Sequence, residues 1–199
     1  MKETNPPVQI ITQPRSDLCW TTCILMMAKV VKNVYPGINP ESISERVGYR
    51  AKGDGNYPGY LIKIKSVIED FIGIGAYERS LDKVDLDKPA KLTWGEITKY
   101  IDEGYPILVY YDWNQSYEGH FMVIGGYEIT KGQGGTETQI IRLFDPLEGS
   151  HKDIPYLDLF NGEYKRNNKS DKKHLWYATW VPNSATITEL KRTGFAVKV

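Results

Sequence analysis

Cys19 follows Ser16-Asp17-Leu18 and opens a run with apolar residues at positions 19, 20, 23, 24, 26, 27, 30 and 31. That spacing predicts a helix over 18–32 with a wide buried face. A thiol in the first turn of a helix meets backbone N–H groups without intrahelical acceptors and the positive end of the helix dipole. Both favour thiolate. To act as a nucleophile, the thiol needs a base within hydrogen-bond reach, and the base needs a third group to fix its tautomer. His120 opens a strand-like segment in Gly119-His120-Phe121, and Asp145 ends the next one in Phe144-Asp145-Pro146. Gln13, six residues ahead of Cys19, offers an amide donor that can join the Cys19 N–H in stabilising an oxyanion. Taken singly, Cys19 reads as a small core residue and Gln13 as a surface glutamine. The set of Gln, Cys, His and Asp points instead to nucleophilic acyl chemistry. Cys23 lies one turn deeper among Ile24, Met26 and Met27 and keeps the core reading.

The elements that must position these groups fall into two halves. Ser16 and Asp17 are natural N-caps for the Cys19 helix, Lys29 and Lys32 suit its C-terminal end, and Tyr35-Pro36-Gly37 stops it. Asn39-Pro40-Glu41 reads as cap, first helical proline and first-turn acid of a short helix closed by Gly48. A glycine-rich loop over 53–59 precedes helical periodicity from Tyr60 to Ile72. Thr93-Trp94-Gly95-Glu96 matches a capping box and opens a helix that ends at Gly104. From Pro106 the pattern changes to strand-like runs over 107–111, 121–124 and 139–144, with another over 176–181. Helices followed by antiparallel strands imply an α+β domain. The expected division is a single domain over 1–199, with a helical lobe over about 1–104, a β-sheet lobe over 105–199 and a cleft between them.

Composition narrows the function classes. The chain has 199 residues, 41% apolar and 25% charged, and its formal net charge is zero. A general electrostatic grip on nucleic acid or anionic lipid is therefore not expected. No apolar run reaches the length of a membrane span. Met1 to Thr12 contains no apolar core of a secretory signal, so the expectation is a soluble protein, cytoplasmic or exported as an effector. Two cysteines four residues apart exclude a disulfide framework and a multi-cysteine zinc site. His151 and His174 sit in polar surroundings and read as surface residues; no metal or cofactor is expected. Gly132-Gln133-Gly134-Gly135 lacks a following helix and reads as a hairpin loop, not a phosphate cradle. Trp94, Trp113 and Tyr117 read as core or rim packing, with the substrate cleft as the alternative. Lys165 to Lys173 reads as a solvated loop.

Gln13-Pro14-Arg15-Ser16-Asp17-Leu18-Cys19-Trp20 resembles the Gln-x5-Cys-Trp segment of papain-like cysteine proteases. Gly119-His120-Phe121-Met122-Val123-Ile124-Gly125-Gly126-Tyr127 is similar to the histidine strand of the compact bacterial members. These include the bacteriocin-leader peptidases and effector proteases. Phe144-Asp145-Pro146-Leu147-Glu148-Gly149 resembles their third catalytic segment, which carries Asp where papain uses Asn. The resemblance spans about 13 to 150, in the order Gln, Cys, His, Asp. It implies a papain-like fold in which Cys19, His120 and Asp145 form a triad and Gln13 serves the oxyanion. It also implies a protein or peptide substrate, an acyl-enzyme intermediate and no cofactor. Asp17-Leu18 stands in place of the residues that precede the cysteine in papain proper. The Cys19-to-His120 interval is shorter than the roughly 130–150 residues of papain and cathepsins. Acyl transfer or deamidation, leader-peptide processing, and an inactive peptide-binding module remain alternatives for the same constellation.

Overall fold

The computed structural model describes residues 1–31, 37–46, 58–72, 75–80, 90–112, 119–132, 134–164 and 175–183. The helices are α1 (Cys19–Val31), α2 (Pro40–Arg46), α3 (Pro58–Ile72), α4 (Trp94–Asp102) and α5 (Tyr156–Asn161). The strands are β1 (Lys2–Glu3), β2 (Gly75–Ser80), β3 (Ile107–Asp112), β4 (Gly119–Lys131), β5 (Glu137–Asp145), β6 (Ser150–Pro155) and β7 (Leu175–Asn183). All strand pairs are antiparallel, in the order β2-β7-β3-β4-β5-β6, and β1 adds to β4. The architecture is α+β, as the sequence pattern implies.

Both faces of the central strands are covered, which explains why β3 reads as an unbroken apolar run. All six of its residues are buried. Leu108 and Tyr110 join Phe121, Val123 and Trp180 in a core shared with Cys23, Ile24 and Met27 of α1. Ile107, Val109 and Tyr111 join Met122, Ile124 and Leu143 in a second core closed by Ile97 and Ile101 of α4 and Leu159 of α5. Burying one such aliphatic side chain contributes about 1.5–3 kcal/mol. α1 lies between the sheet and the helices α2 and α3, so burial extends around nearly its whole circumference: Thr21 and Thr22 are enclosed along with the apolar residues.

Several expectations hold to within a residue or two: α1, the onset of α2, α3, and the strands expected over 107–111, 139–144 and 176–181; the run expected over 121–124 is the buried start of a longer strand, β4, which continues through Gly125 and Gly126 to Lys131. The capping box at α4 forms in full, with Thr93 Oγ1 accepting the Glu96 N–H and the Glu96 carboxylate accepting the Thr93 N–H at 2.9 Å. At the other end Gly104 takes a left-handed conformation, and the Gly104 and Tyr105 N–H groups return to the carbonyls of Ile101 and Tyr100. The stop expected at Tyr35-Pro36, the closure of α2 by Gly48, most of the 53–59 loop and the Lys165–Lys173 segment lie outside the described residues. Ser16 and Asp17 do not cap α1. The first intrahelical bond runs from the Thr22 N–H to the Leu18 carbonyl, so Leu18 holds the N-cap position. Asp17 is drawn instead to the Arg15 guanidinium, in two contacts of 3.1 Å.

The first half of the chain also contributes strands. β2 pairs along β7, and β1 takes up the edge of β4 just beyond the end of β3: Ile107 lies opposite Ile124, and Glu3 opposite Gly126. The Thr4 N–H then bonds the Gly125 carbonyl at 3.1 Å. Arg142 of β5 ties this segment down by pairing with Glu3 and, at 2.8 Å, with Asp153 of β6. The N-terminal segment is thereby fixed along the sheet and delivers residues 8–18 to the start of α1.

Gly119 begins β4 where the ring of Tyr110 lies across it, and a Cβ at this position would fall inside that ring. Tyr110 cannot swing aside freely, because it packs on Phe121 at 4.8 Å and on Tyr177 at 6.0 Å between ring centres. Gly119→Ala should therefore destabilise the protein by about 1–3 kcal/mol, as overpacking does. Denaturant unfolding checks this; an unchanged midpoint would mean that the Tyr110 ring yields without cost.

Candidate active site

Antiparallel pairing places the start of β4 and the end of β5 at the same end of the sheet. His120 is the second residue of β4, and Asp145 is the last of β5. Their side chains meet there: His120 Nε2 lies 2.7 Å from Asp145 Oδ1. The carboxylate is itself oriented by the turn that follows, because Oδ1 also accepts the Leu147 N–H at 2.9 Å. This is the local bond that an aspartate forms with the backbone two residues on. The Gly149 N–H closes the turn on the Asp145 carbonyl at 3.0 Å.

Cys19 is the first residue of α1, and α1 packs across β4 and β3. Cys19 lies near enough to His120 to raise its pKa through hydrogen bonding and charge. With Nε2 on the carboxylate, Nδ1 is the imidazole nitrogen that remains for the thiol. His120 is only 4% exposed. Burial is the largest influence on its pKa and pushes it down. The hydrogen bonds to Asp145 and Cys19, together with their charges, outweigh burial and carry the pKa up to about 9. Cys23 contrasts with its neighbour. Fully buried one turn along, it has a thiol pushed well above the ordinary range, first by burial and then by the charges of Cys19 and Asp145. A neutral thiol in an apolar setting is inert.

Gln13 is buried in the loop that leads into α1. Its backbone N–H donates to the Pro146 carbonyl at 2.8 Å, fastening this loop to the turn after Asp145. Its side-chain Nε2 donates to the Arg15 carbonyl at 2.7 Å. The structure thus bonds His120 to Asp145, brings Cys19 to bear on the same imidazole, and ties Gln13 to the Asp145 turn through the backbone. Leucine at the N-cap has no side-chain acceptor to offer the first-turn amides of α1. Chemically, the arrangement sets a thiol at a helix start beside an imidazole whose pKa is raised and which a carboxylate orients.

Other sequence candidates lie elsewhere. Trp94 packs on Tyr127 and Tyr156, each at 5.6 Å between ring centres, within the core closed by α4 and α5. Trp113, Tyr117 and His174 lie outside the described residues. His151 is exposed and rests on Phe144. Gly132, Gly134 and Gly135 form the β4–β5 hairpin turn, closed by the Gly132 N–H on the Thr136 carbonyl at 2.8 Å. Among the described residues no three His, Cys, Asp or Glu side chains gather as a metal site. No helix among them is long and apolar enough to cross a membrane. The positioning roles of Leu18, Pro146, Leu147 and Arg15 were not read from the sequence. Only the Asp145-Pro146-Leu147 turn carries a local signal, the tendency of aspartate to accept from the backbone two residues on.

No curated protein matches the chain. A family match covers residues 5–172, from the N-terminal segment through Gln13, Cys19, His120 and Asp145 to beyond α5. It agrees with the papain-like resemblance read from the sequence and supports a cysteine peptidase. The chain belongs to the Peptidase_C39 like family.

Proposed function

We propose that the protein is a cysteine endopeptidase in which Cys19, His120 and Asp145 form the catalytic triad and Gln13 assists at the oxyanion. The observation that carries this reading is the buried His120 bonded to Asp145, with Cys19 close enough to help raise its pKa to about 9. At neutral pH such an imidazole is protonated, and a thiolate beside it is its natural counter-charge. The Cys19 sulfur attacks the carbonyl carbon of the scissile bond, and the C=O π pair moves onto oxygen. The Cys19 N–H and a Gln13 side-chain N–H donate to that oxyanion. When the oxyanion collapses, the C–N bond breaks and His120 passes its Nδ1 proton to the leaving amine. The thioester left on Cys19 is hydrolysed by a water whose proton returns to His120, releasing the acid and the thiolate. Asp145 keeps Nε2 engaged throughout, so that Nδ1 faces the sulfur. The substrate is a protein or peptide.

Labelling and substitution test this mechanism. Iodoacetamide near neutral pH should label Cys19 rapidly and Cys23 slowly, as peptide mapping by mass spectrometry would show. Preferential labelling of Cys23 would transfer the nucleophile to the buried position. Cys19→Ala should abolish peptide cleavage.

The raised pKa of His120 has a definite sign. Relative to an unfolded value near 6.5, protonation of His120 stabilises the fold fully below that pH, and this contribution is lost as pH rises through about 9. Cys19→Ala removes one of the two hydrogen bonds that hold the pKa up. The His120 imidazole resonances should then titrate at lower pH than in the parent protein. An unchanged NMR midpoint would mean that thiol and imidazole are not coupled.

Asp145 differs from His120 in how it can be replaced. His120→Ala should remove nearly all turnover, because both the counter-ion and the acid are lost. Asp145→Asn should retain more activity than Asp145→Ala, since the amide oxygen can still accept from Nε2. Equal kcat values for the two Asp145 variants would remove ring orientation from the mechanism.

A further inference from the structure

We infer that Arg15 and Asp17 are positioning residues that hold the Gln13 amide for the oxyanion, a role that presupposes the acyl-enzyme reading of Cys19 and Gln13. Gln13 is 7% exposed, and its Nε2 commits one N–H to the Arg15 carbonyl at 2.7 Å. A primary amide has two donors in one plane, so fixing the first fixes the direction of the second. The same Arg15 carbonyl accepts the Leu18 N–H at 3.2 Å. One backbone oxygen therefore sets both the plane of the Gln13 amide and the residue at which α1 begins.

The side chains of the same loop hold that oxygen in place. The Arg15 guanidinium grips both carboxylate oxygens of Asp17, at 3.1 Å each, and so closes the loop across Ser16. An ion pair of this exposure adds little to global stability. Its local effect is to fix the backbone around the Arg15 carbonyl, and with it the acceptor that holds the Gln13 amide. The other end of the loop is anchored independently, by the Gln13 N–H on the Pro146 carbonyl at 2.8 Å.

The test compares two reactions of Cys19. With p-nitrophenyl acetate the sulfur attacks the ester carbonyl, a tetrahedral oxyanion forms, and its collapse expels p-nitrophenolate while the acetyl group stays on sulfur. With iodoacetamide the sulfur displaces iodide and no oxyanion arises. The ratio of acylation to alkylation rates cancels changes in thiolate population and reports on the oxyanion donors. Gln13→Ala should lower the ratio by about 10²–10³, as removal of a donor does. Arg15→Gln and Asp17→Ala should each lower it by roughly 3- to 10-fold, a loosened donor costing less than a missing one. A pure charge effect on the oxyanion would act in opposite directions in these two variants. Added to Gln13→Ala, neither should lower the ratio further, because they act through that amide. The alkylation rate doubles as a check that the site is folded, and Asp17→Asn replaces Asp17→Ala if that rate collapses. Ratios that stay at the parental value, move in opposite directions, or fall additively with Gln13→Ala would overturn the positioning role alone. A Gln13→Ala protein with the parental ratio would overturn the oxyanion reading beneath it as well.

Discussion

A buried histidine must have its polar ring nitrogens paired, and the bond between His120 and Asp145 meets that need. Much of the fold around the site can be understood as holding this one contact. The two residues are 25 positions apart in the chain, and only a hairpin in the correct register brings them to the same end of the sheet. A slip of one residue would turn either side chain to the opposite face. The register is guarded at several points. Tyr110 lies over Gly119, the turn after β5 bonds the Asp145 carboxylate, and Arg142 links β5 to both β1 and β6.

The Asp145 turn also binds a second part of the molecule. Through the Pro146 carbonyl it holds Gln13, and a Cβ at Gly149 would collide with Thr12, so the loop ahead of α1 lies tightly on this turn. The chain segment that leads into the Cys19 helix is thus attached to the segment that orients His120. The N-terminal strand contributes at a distance: by pairing with β4 it fixes where that loop begins. Displacing the loop ahead of α1 from the Asp145 turn would break the Gln13–Pro146 backbone bond. The groups proposed to act together belong to one connected framework.

The sequence made the long, strongly patterned elements legible, and the ordered motifs made the four candidate residues legible with them. α1 declares itself by its apolar spacing, α4 by its capping box and glycine stop, and β3 by a continuous apolar run. What escaped reading was short or polar. β1 has two residues, too few for any periodicity. β2 and β6 are edge strands whose charged residues, such as Glu78, Lys152 and Asp153, mask the alternation of a half-buried strand. The helix start was misread because a cap is a competition. Asp17 has the right chemistry to cap α1, but its carboxylate pairs instead with the Arg15 guanidinium two residues earlier. Backbone contacts such as that of Gln13 with Pro146 leave no side-chain signature at all.

The central claim is that Cys19 and His120 stand as thiolate and imidazolium in the resting protein. The most direct measurement is the ultraviolet thiolate absorbance of the folded protein at about pH 7, taken as the difference between the parent and Cys19→Ala and repeated in a His120→Gln background. One equivalent of thiolate in the parent, lost when His120 is replaced, is the predicted result. An absence of thiolate signal in the parent, or a signal that persists unchanged without His120, would contradict it.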